Sequence, residues 1–376
     1  AGMNPRLYGY IASFPDFFPD ENGYIKKKIV LKVSDFRSAI IQGKFLAKKG
    51  LWVSEYRVES GLNCGGHAFA TDGFLMGPIL AEFKDKKQEL IDSIFEVCKQ
   101  ALESSERIVP KETLKIKITA QGGVGTAKEH DFLINHYNLD SVGWGTPFLL
   151  VPTITTVDDD TIQQLKQAKE KDLYLSNVSP LGVPFNNLRG SSKEIEKLEN
   201  AQKGKAGSSC PRKFLAMNYE YNKQGMCTAS RKFQTIKLDE IKETKELTEN
   251  EKYDKIIEKS CLCVGLSAAA MIKNNIATKD SMGVSICPGP NMAYFSKTLS
   301  LSEMVSHIYG KINIISREDR PNMFVKEIQL YIDYLTTKIR EAKEDFNKKQ
   351  DRYLSKFMNN MNEGLEYYYN LFKDNK

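Results

Sequence analysis

The residues of this chain that are able to do chemistry sit on three glycine-bearing loops and in a late set of cysteines. The loop Gln121-Gly122-Gly123-Val124-Gly125-Thr126 follows a strand-like stretch at 116–120 (IKITA) and opens a helix-like one. A phosphate monoester held by a parallel β/α architecture needs backbone N–H groups that converge with no side chain in the way. Glycines directly after a strand expose those groups, and the N-terminus of the next helix adds the positive end of its dipole. Gly143-Trp144-Gly145-Thr146 repeats the pattern one helix and one strand later. The two loops are therefore expected side by side on one rim, with Gly122, Gly123, Gly125, Gly145 and Thr146 around the phosphate. The same spacing also suits two turns that need glycine for backbone reasons alone.

An earlier loop, Leu62-Asn63-Cys64-Gly65-Gly66-His67, follows the strand-like stretch 52–58. A histidine placed after two glycines at the end of a strand stands where barrel enzymes do their chemistry. Its imidazole titrates in the range suited to taking a proton from an activated carbon. His67 is one of only four histidines. The other reading is a loop histidine that hydrogen-bonds the backbone or touches a cofactor. Cys64 has the atoms of a nucleophile, but nothing in the sequence indicates the lowered pKa that such a role requires.

The remaining chemistry lies in Cys210-Pro211, Cys227, Cys261-Leu262-Cys263 and Cys287-Pro288, set among glycines and prolines. Any four of these five thiolates could ligate a 4Fe-4S cluster. Their spacing matches neither the familiar ferredoxin runs nor a pair of zinc knuckles. Buried free cysteines in an apolar segment such as CLCVGLSAAA are the competing reading, and Cys98 is expected in the core of a helix.

Alternating elements must position these residues. Strand-like stretches at 7–14, 28–33, 51–58, 114–120 and 140–150 are separated by helix-like ones. The first helix opens at Asp35 and stops at Gly50; others cover 79–102, the region of His130 and Leu133, and 161–169. Such alternation implies a parallel sheet with helices outside it. Residues 28–150 hold four β/α units and 7–14 adds at most one, against the eight of a closed (β/α)8 barrel. A half-barrel would expose strand edges, so either the chain is part of a longer polypeptide or another chain supplies the rest. Charged, apolar-poor stretches between 190 and 260 are expected to be solvated. Residues 322–372 carry two amphipathic helical stripes, read as packing or oligomer surface.

Composition bounds the function. In 376 residues, 41% hydrophobic and 27% charged, the core is of globular size. The net charge of +6 is mild and its charges are mixed, which argues against nucleic acid. No apolar run approaches the ~18 residues of a membrane span, and the first residues lack a signal-peptide pattern. Ala1-Gly2 before Met3 reads as a tag remnant. Seven cysteines, an odd number, fit free thiols or metal ligation in a cytoplasmic protein better than a disulfide framework.

Three motifs in order carry a resemblance: Ser60-Gly61-Leu62-Asn63-Cys64-Gly65-Gly66-His67, Ala120-Gln121-Gly122-Gly123-Val124 and Gly145-Thr146-Pro147-Phe148-Leu149. Together they resemble the nitronate monooxygenase family, which includes flavin-dependent enoyl-acyl carrier protein reductases; glutamate synthase-type FMN barrels are a more distant likeness. Gly182-Val183-Pro184-Phe185-Asn186-Asn187-Leu188 resembles the family's segment after the barrel. The match covers about residues 28–190, with Pro147 and Asn186 standing where the family has arginine and Cys64 where it has a small residue. The resemblance implies an FMN-binding TIM barrel. Its flavin phosphate would lie on Gly122, Gly123, Gly145 and Thr146, with Gly65 and Gly66 against the cofactor and His67 near the isoalloxazine as a base.

The expected fold is thus α/β, the C-terminal half of a (β/α)8 barrel (1–190), then a Cys-containing extension with charged linkers (191–320) and a helical hairpin (321–376). The expected function is an FMN-dependent oxidoreductase acting on a small molecule, with a 4Fe-4S cluster as an electron relay, a homo-oligomer that a complementary barrel half would complete. A barrel subunit that has lost its chemistry and keeps a structural metal is the alternative.

Overall fold

The structure is a computed structural model that describes residues 4–244, 249–278, 281–344 and 348–373. Ala1-Gly2, read above as a tag remnant, and 245–248 within the charged stretch lie outside the described residues. The chain divides into two units. One comprises Ala1–Leu62, Ala70–Trp144 and Pro321–Lys376, the other Asn63–Phe69 and Gly145–Arg320.

The first unit is built on a four-stranded parallel sheet in the order β1 (Ile29–Val33), β2 (Val53–Glu59), β3 (Lys117–Gln121) and β4 (Ser141–Gly143). The sheet is open, so no barrel is closed among the described residues. Its four strands are those read from the four β/α units. Period-two alternation sorts the faces. Leu31, Val33, Tyr56, Val58, Ile118 and Ala120 are buried and in register with one another. The opposite face is polar: Lys32 pairs with Glu59, Arg57 with Glu55, and Thr119 donates to Glu55 at 2.8 Å. A parallel sheet is usually covered by apolar side chains on both faces, so this polar face is a departure.

Helices Phe36–Ala47, Met76–Asp85 and Lys87–Ser104 pack with the sheet and each other through Leu46, Phe83, Leu90, Ile94 and Leu102. Asp35 caps the first, accepting from Ser38 N–H at 2.7 Å, and Gly50 ends its exit turn at φ +72°. Phe36 meets Phe83 edge-on with ring centres 5.3 Å apart.

Several elements differ from expectation for physical reasons. Residues 7–14, expected as a strand, form a helix at Pro5–Ile11. Asn4 caps it, accepting from Leu7 N–H at 3.0 Å, and Pro5 holds its first position. The 140–150 strand ends at Gly143, where Thr146–Leu150 turns into a 3-10 helix with Pro147 inside it. The 79–102 helix is two, parting at Lys86. The two expected C-terminal helices are present as Met323–Glu344 and Lys348–Lys373.

Two buried carboxylates tie that C-terminal pair to the sheet's loops. Glu327, only 2% exposed, accepts from the Ser60 hydroxyl, from Met76 N–H at 3.0 Å and from the Tyr368 hydroxyl at 3.2 Å. Glu129 accepts from Met323 N–H at 2.7 Å through its other oxygen, while capping its own helix. Phe357, Met361 and Tyr368 complete the seam, and Tyr368 also accepts from Gly77 N–H at 2.9 Å.

The second unit holds an antiparallel pair, β5 (Leu173–Ser176) and β6 (Phe185–Leu188). Its main core gathers Leu150, Ile162, Leu165, Leu188, Met292 and Phe295. Arg317 bonds Glu170 at 2.5 Å and lies over the Tyr294 ring. The stretch expected as solvated linkers is largely helical, at Ser192–Gln202, Arg231–Thr244 and Glu249–Ile257. Ala201, Ala206 and Ile257 form a small core of their own there. Helices Asp159–Gln167, Leu262–Lys273 and Leu301–Ile308 complete the unit. Among the described residues no helix is long and apolar enough to cross a membrane.

Burial pushes the Glu327 carboxyl up to about 7, against the bonds that favour its charged form. A carboxyl whose folded pKa exceeds its unfolded value binds more protons in the folded chain. Stability therefore falls as pH rises from the unfolded value, near 4.3, through about 7. Chemical denaturation at about pH 5 and pH 8 is expected to show this loss in the wild type. In Glu327→Gln the slope should shrink, by up to roughly 3 kcal/mol across the window; an unchanged slope would contradict the assignment.

Candidate functional site

In the first unit the carboxyl ends of the strands carry a polar row. Glu59, Gln121 and Gly143 stand in register at the ends of β2, β3 and β4. Gln121 donates its amide N–H to Glu59 at 2.6 Å, and Lys32 of β1 pairs with the same carboxylate. A Cβ on Gly143 would come 3.1 Å from the Gln121 side chain, so glycine lets that side chain lie flat across β4. Ligands of open parallel sheets bind outside the carboxyl ends of the strands, which makes this row a place for polar recognition. Sequence reasoning missed Lys32 and Glu59. The signal was present in the alternation of each strand, which places them on one face.

Directly after β3 the chain turns through Gly122 (φ +126°) and Gly123 (φ +76°), conformations that side chains with a Cβ rarely adopt. Thr126 then caps the helix Ala127–Tyr137 in a capping box. The Glu129 carboxylate turns back to accept from Gly125 N–H at 2.9 Å and Thr126 N–H at 3.2 Å. This helix N-terminus thus already holds an anion, its own glutamate, and Gly125, expected around the phosphate, spends its N–H on that glutamate. His130, on the same helix, accepts from the Trp144 indole at 3.1 Å. Burial lowers its pKa, against the pull of nearby Asp131.

In the second unit the Cys64-Gly65-Gly66-His67 loop is fixed by backbone contacts. Gly66 N–H donates to Cys287 carbonyl at 3.2 Å, and Asn186 N–H donates to Gly66 carbonyl at 2.9 Å. The Asn186 amide reaches Cys64 carbonyl at 2.5 Å. Gly289 N–H donates to the Thr146 hydroxyl at 3.0 Å. The structure thereby sets the Cys287–Gly289 turn, which the sequence did not indicate, against Gly65, Gly66 and Thr146. Thr146, expected at the phosphate, spends its hydroxyl on the Cys-Pro-Gly turn. Gly65 is required by crowding, since a Cβ would stand 2.5 Å from Cys287 carbonyl and 3.2 Å from Gly289 N. Gly66 needs its φ of +78°, and Gly145 has open space beside it.

His67 is half-buried. Its Nε2 lies 2.7 Å from the Ser179 hydroxyl, and its ring meets Phe185 edge-on at 4.9 Å. Either partner of the Ser179 contact can be the donor, so the contact orients the ring without fixing its tautomer. Asn186, one residue beyond Phe185, stands where the resembled family has arginine and here serves the loop backbone.

Of the five late cysteines, Cys210, Cys227, Cys261 and Cys263 line one cavity of about 10 Å³. Cys287 lies apart, against Val178, Phe185 and Leu262. Burial, with Cys210 and Cys261 close by, pushes the Cys227 thiol up to about 12, and burial raises Cys263 and Cys287 too. Among the described residues no three His, Cys, Asp or Glu side chains stand in a ready-made metal shell. Cys98 is fully buried on its helix, as expected.

No family model matches the chain. No curated protein matches it. Among solved structures it is similar to FabK from Thermotoga maritima, at 13% identity and a TM-score of 0.35, covering 83% of this chain and 64% of that one. It is similar also to the enoyl reductase domain of MlnA from the macrolactin biosynthesis cluster of Bacillus amyloliquefaciens, at 11% identity and a TM-score of 0.41, covering 96% and 74%. The chain therefore spans 64% of the length of the FabK structure.

The crowding at Gly65 separates two kinds of glycine. Gly65→Ala must push apart two backbones and is expected to cost about 1–3 kcal/mol. Gly145→Ala, with nothing within 4 Å of its Cβ, should leave stability within about 0.5 kcal/mol. Denaturant midpoints of the two variants check this; equal losses would contradict it.

Proposed function

We propose that this chain is an FMN-dependent oxidoreductase, or the larger part of one, acting on a small-molecule substrate. The observation that carries the reading is the Gly122–Gly123 turn. It is left-handed at Gly123, follows a parallel strand directly and precedes a helix. Backbone of that kind presents N–H groups to an anion without side chains. This reading puts the FMN phosphate against the Gly122–Gly123 turn rather than at Gly125, whose N–H goes to Glu129. Within the second unit, taken by itself, Gly145 has open space beside it and Gly65 and Gly66 carry no side chains. FMN supplies hydride and electron transfer when bound.

The chain's own residues have narrower tasks. Lys32, Glu59 and Gln121 orient polar groups at the sheet's edge. His67, steadied by Ser179 and Phe185, holds or moves a proton. In this reading the sheet is the C-terminal half of a barrel, completed by a complementary half, in a cytoplasmic homo-oligomer.

A second reading, an inactive barrel subunit, is favoured by one observation: the Glu129 carboxylate fills the helix N-terminus where a phosphate would otherwise gain most.

Titrating FMN into the purified chain and following flavin fluorescence decides between them. Saturable quenching is expected, and its absence would sink the flavin reading. Gly123→Ala forces a side chain into a left-handed turn, which costs about 1–2 kcal/mol, and should weaken FMN binding roughly tenfold. His67→Ala should keep flavin binding while turnover of a nitronate or an enoyl thioester drops roughly 10²–10⁴-fold. Unchanged turnover with flavin bound would remove His67 as a base.

A further inference from the structure

We propose that Cys210, Cys227, Cys261 and Cys263 form a four-thiolate site for one soft divalent ion of the zinc class, independent of the flavin reading. The first argument is convergence. The four sulfurs come from three chain segments far apart in sequence, yet all line the same small cavity. Seven cysteines in 376 residues would rarely meet this way without a purpose.

The second argument is the scaffolding that holds the segments together. Ser208 and Ser230 form a parallel bridge, with Ser208 N–H to Ala229 carbonyl at 2.9 Å and Arg231 N–H to Ser208 carbonyl at 2.7 Å. That bridge clamps the Cys210 loop to the Cys227 loop. Gly207 permits it, since a Cβ there would lie 2.8 Å from Arg231 N. Gln234 is fully buried and donates its amide to Thr228 carbonyl at 3.3 Å and Lys259 carbonyl at 3.1 Å. It thereby joins the Cys227 turn to the lead-in of Cys261. Cys261 stands at the N-cap position of the helix Leu262–Lys273 without bonding its backbone, and Cys263 sits in its first turn, where the helix dipole favours thiolates.

Charge and size select the ion. Four thiolates around a dication carry two net negative charges, and Arg212 and Lys213 line the same cavity. Zinc–sulfur bonds of about 2.3 Å set tetrahedral ligand sulfurs roughly 3.8 Å apart. The cavity of about 10 Å³ has room for about one water, which suits one ion better than a four-iron cube. As placed, the thiols do not close into a metal shell. Binding therefore draws them inward and releases four protons: Zn²⁺ and four R–SH give Zn(SR)₄²⁻ and four H⁺. Cys287, beyond Leu262, takes no part.

The test uses the full chain, reduced, stripped with a chelator and reloaded separately with zinc and with cobalt(II). We expect one equivalent of zinc per chain and a sulfur-to-cobalt charge-transfer band. Cys287→Ser should keep both; Cys227→Ser and Cys263→Ser should lose both. Failure of the wild type to take up either metal would overturn the proposal, as would retention in both variants. So would a Cys210–Cys227 disulfide in the isolated protein, or stoichiometric iron and sulfide in place of one ion. Should the serine variants fail to fold, the wild-type cobalt spectrum alone decides. A spectrum without sulfur ligation defeats the site.

Discussion

A carboxyl group buried in protein needs hydrogen-bond partners for its oxygens, and the first unit is organised around two of them. Glu129 and Glu327 each collect bonds from segments far apart in sequence. Glu129 joins the turn after β3 to the start of the Met323–Glu344 helix. Glu327, one turn further along that helix, joins the end of β2 to the start of Met76–Asp85. The C-terminal helices are therefore structural partners of the very loops in which ligand binding is sought, more specific in role than a general packing surface. Removing either carboxylate would free the loop geometry along with the helix.

This arrangement also limits what the glycine loops can do. The helix after β3 satisfies its N-terminus internally, so an anion there must depend on the Gly122–Gly123 turn. The polar face of the sheet supplies what the helix does not. Lys32, Glu59 and Gln121 form a linked row at the strand ends, a costly use of positions that an ordinary parallel sheet would fill with valine or isoleucine. In the second unit the His67 loop is held almost wholly by backbone bonds.

Much of the fold was legible in the sequence, for physical reasons. The strands at 28–33, 52–58 and 116–120 are β-branched runs flanked by turn residues, and periodicity finds such runs well. The 7–14 stretch, rich in aromatic residues, also reads as a strand by composition, but Asn4 and Pro5 form a helix start that outweighs it. The strand expected at 140–150 stops at Gly143 because Pro147, which has no N–H for a ladder, belongs to the following 3-10 helix. The site was less legible. Glycines and His67 stand out by residue type, and Glu129 by its capping-box spacing from Thr126, whereas Glu327, Ser179 and the second role of Glu129 depend on partners more than a hundred residues away. Four of five late cysteines share a cavity, a selection that spacing alone left open.

The central claim is that the glycine turn after β3 serves a flavin. The absorption spectrum of the protein as isolated, with the molecule released on denaturation identified, tests it most directly. A two-band flavin spectrum and FMN in near-equal amount to the chain are expected. A colourless protein that releases no FMN, and does not acquire the spectrum when FMN is added, would contradict the account.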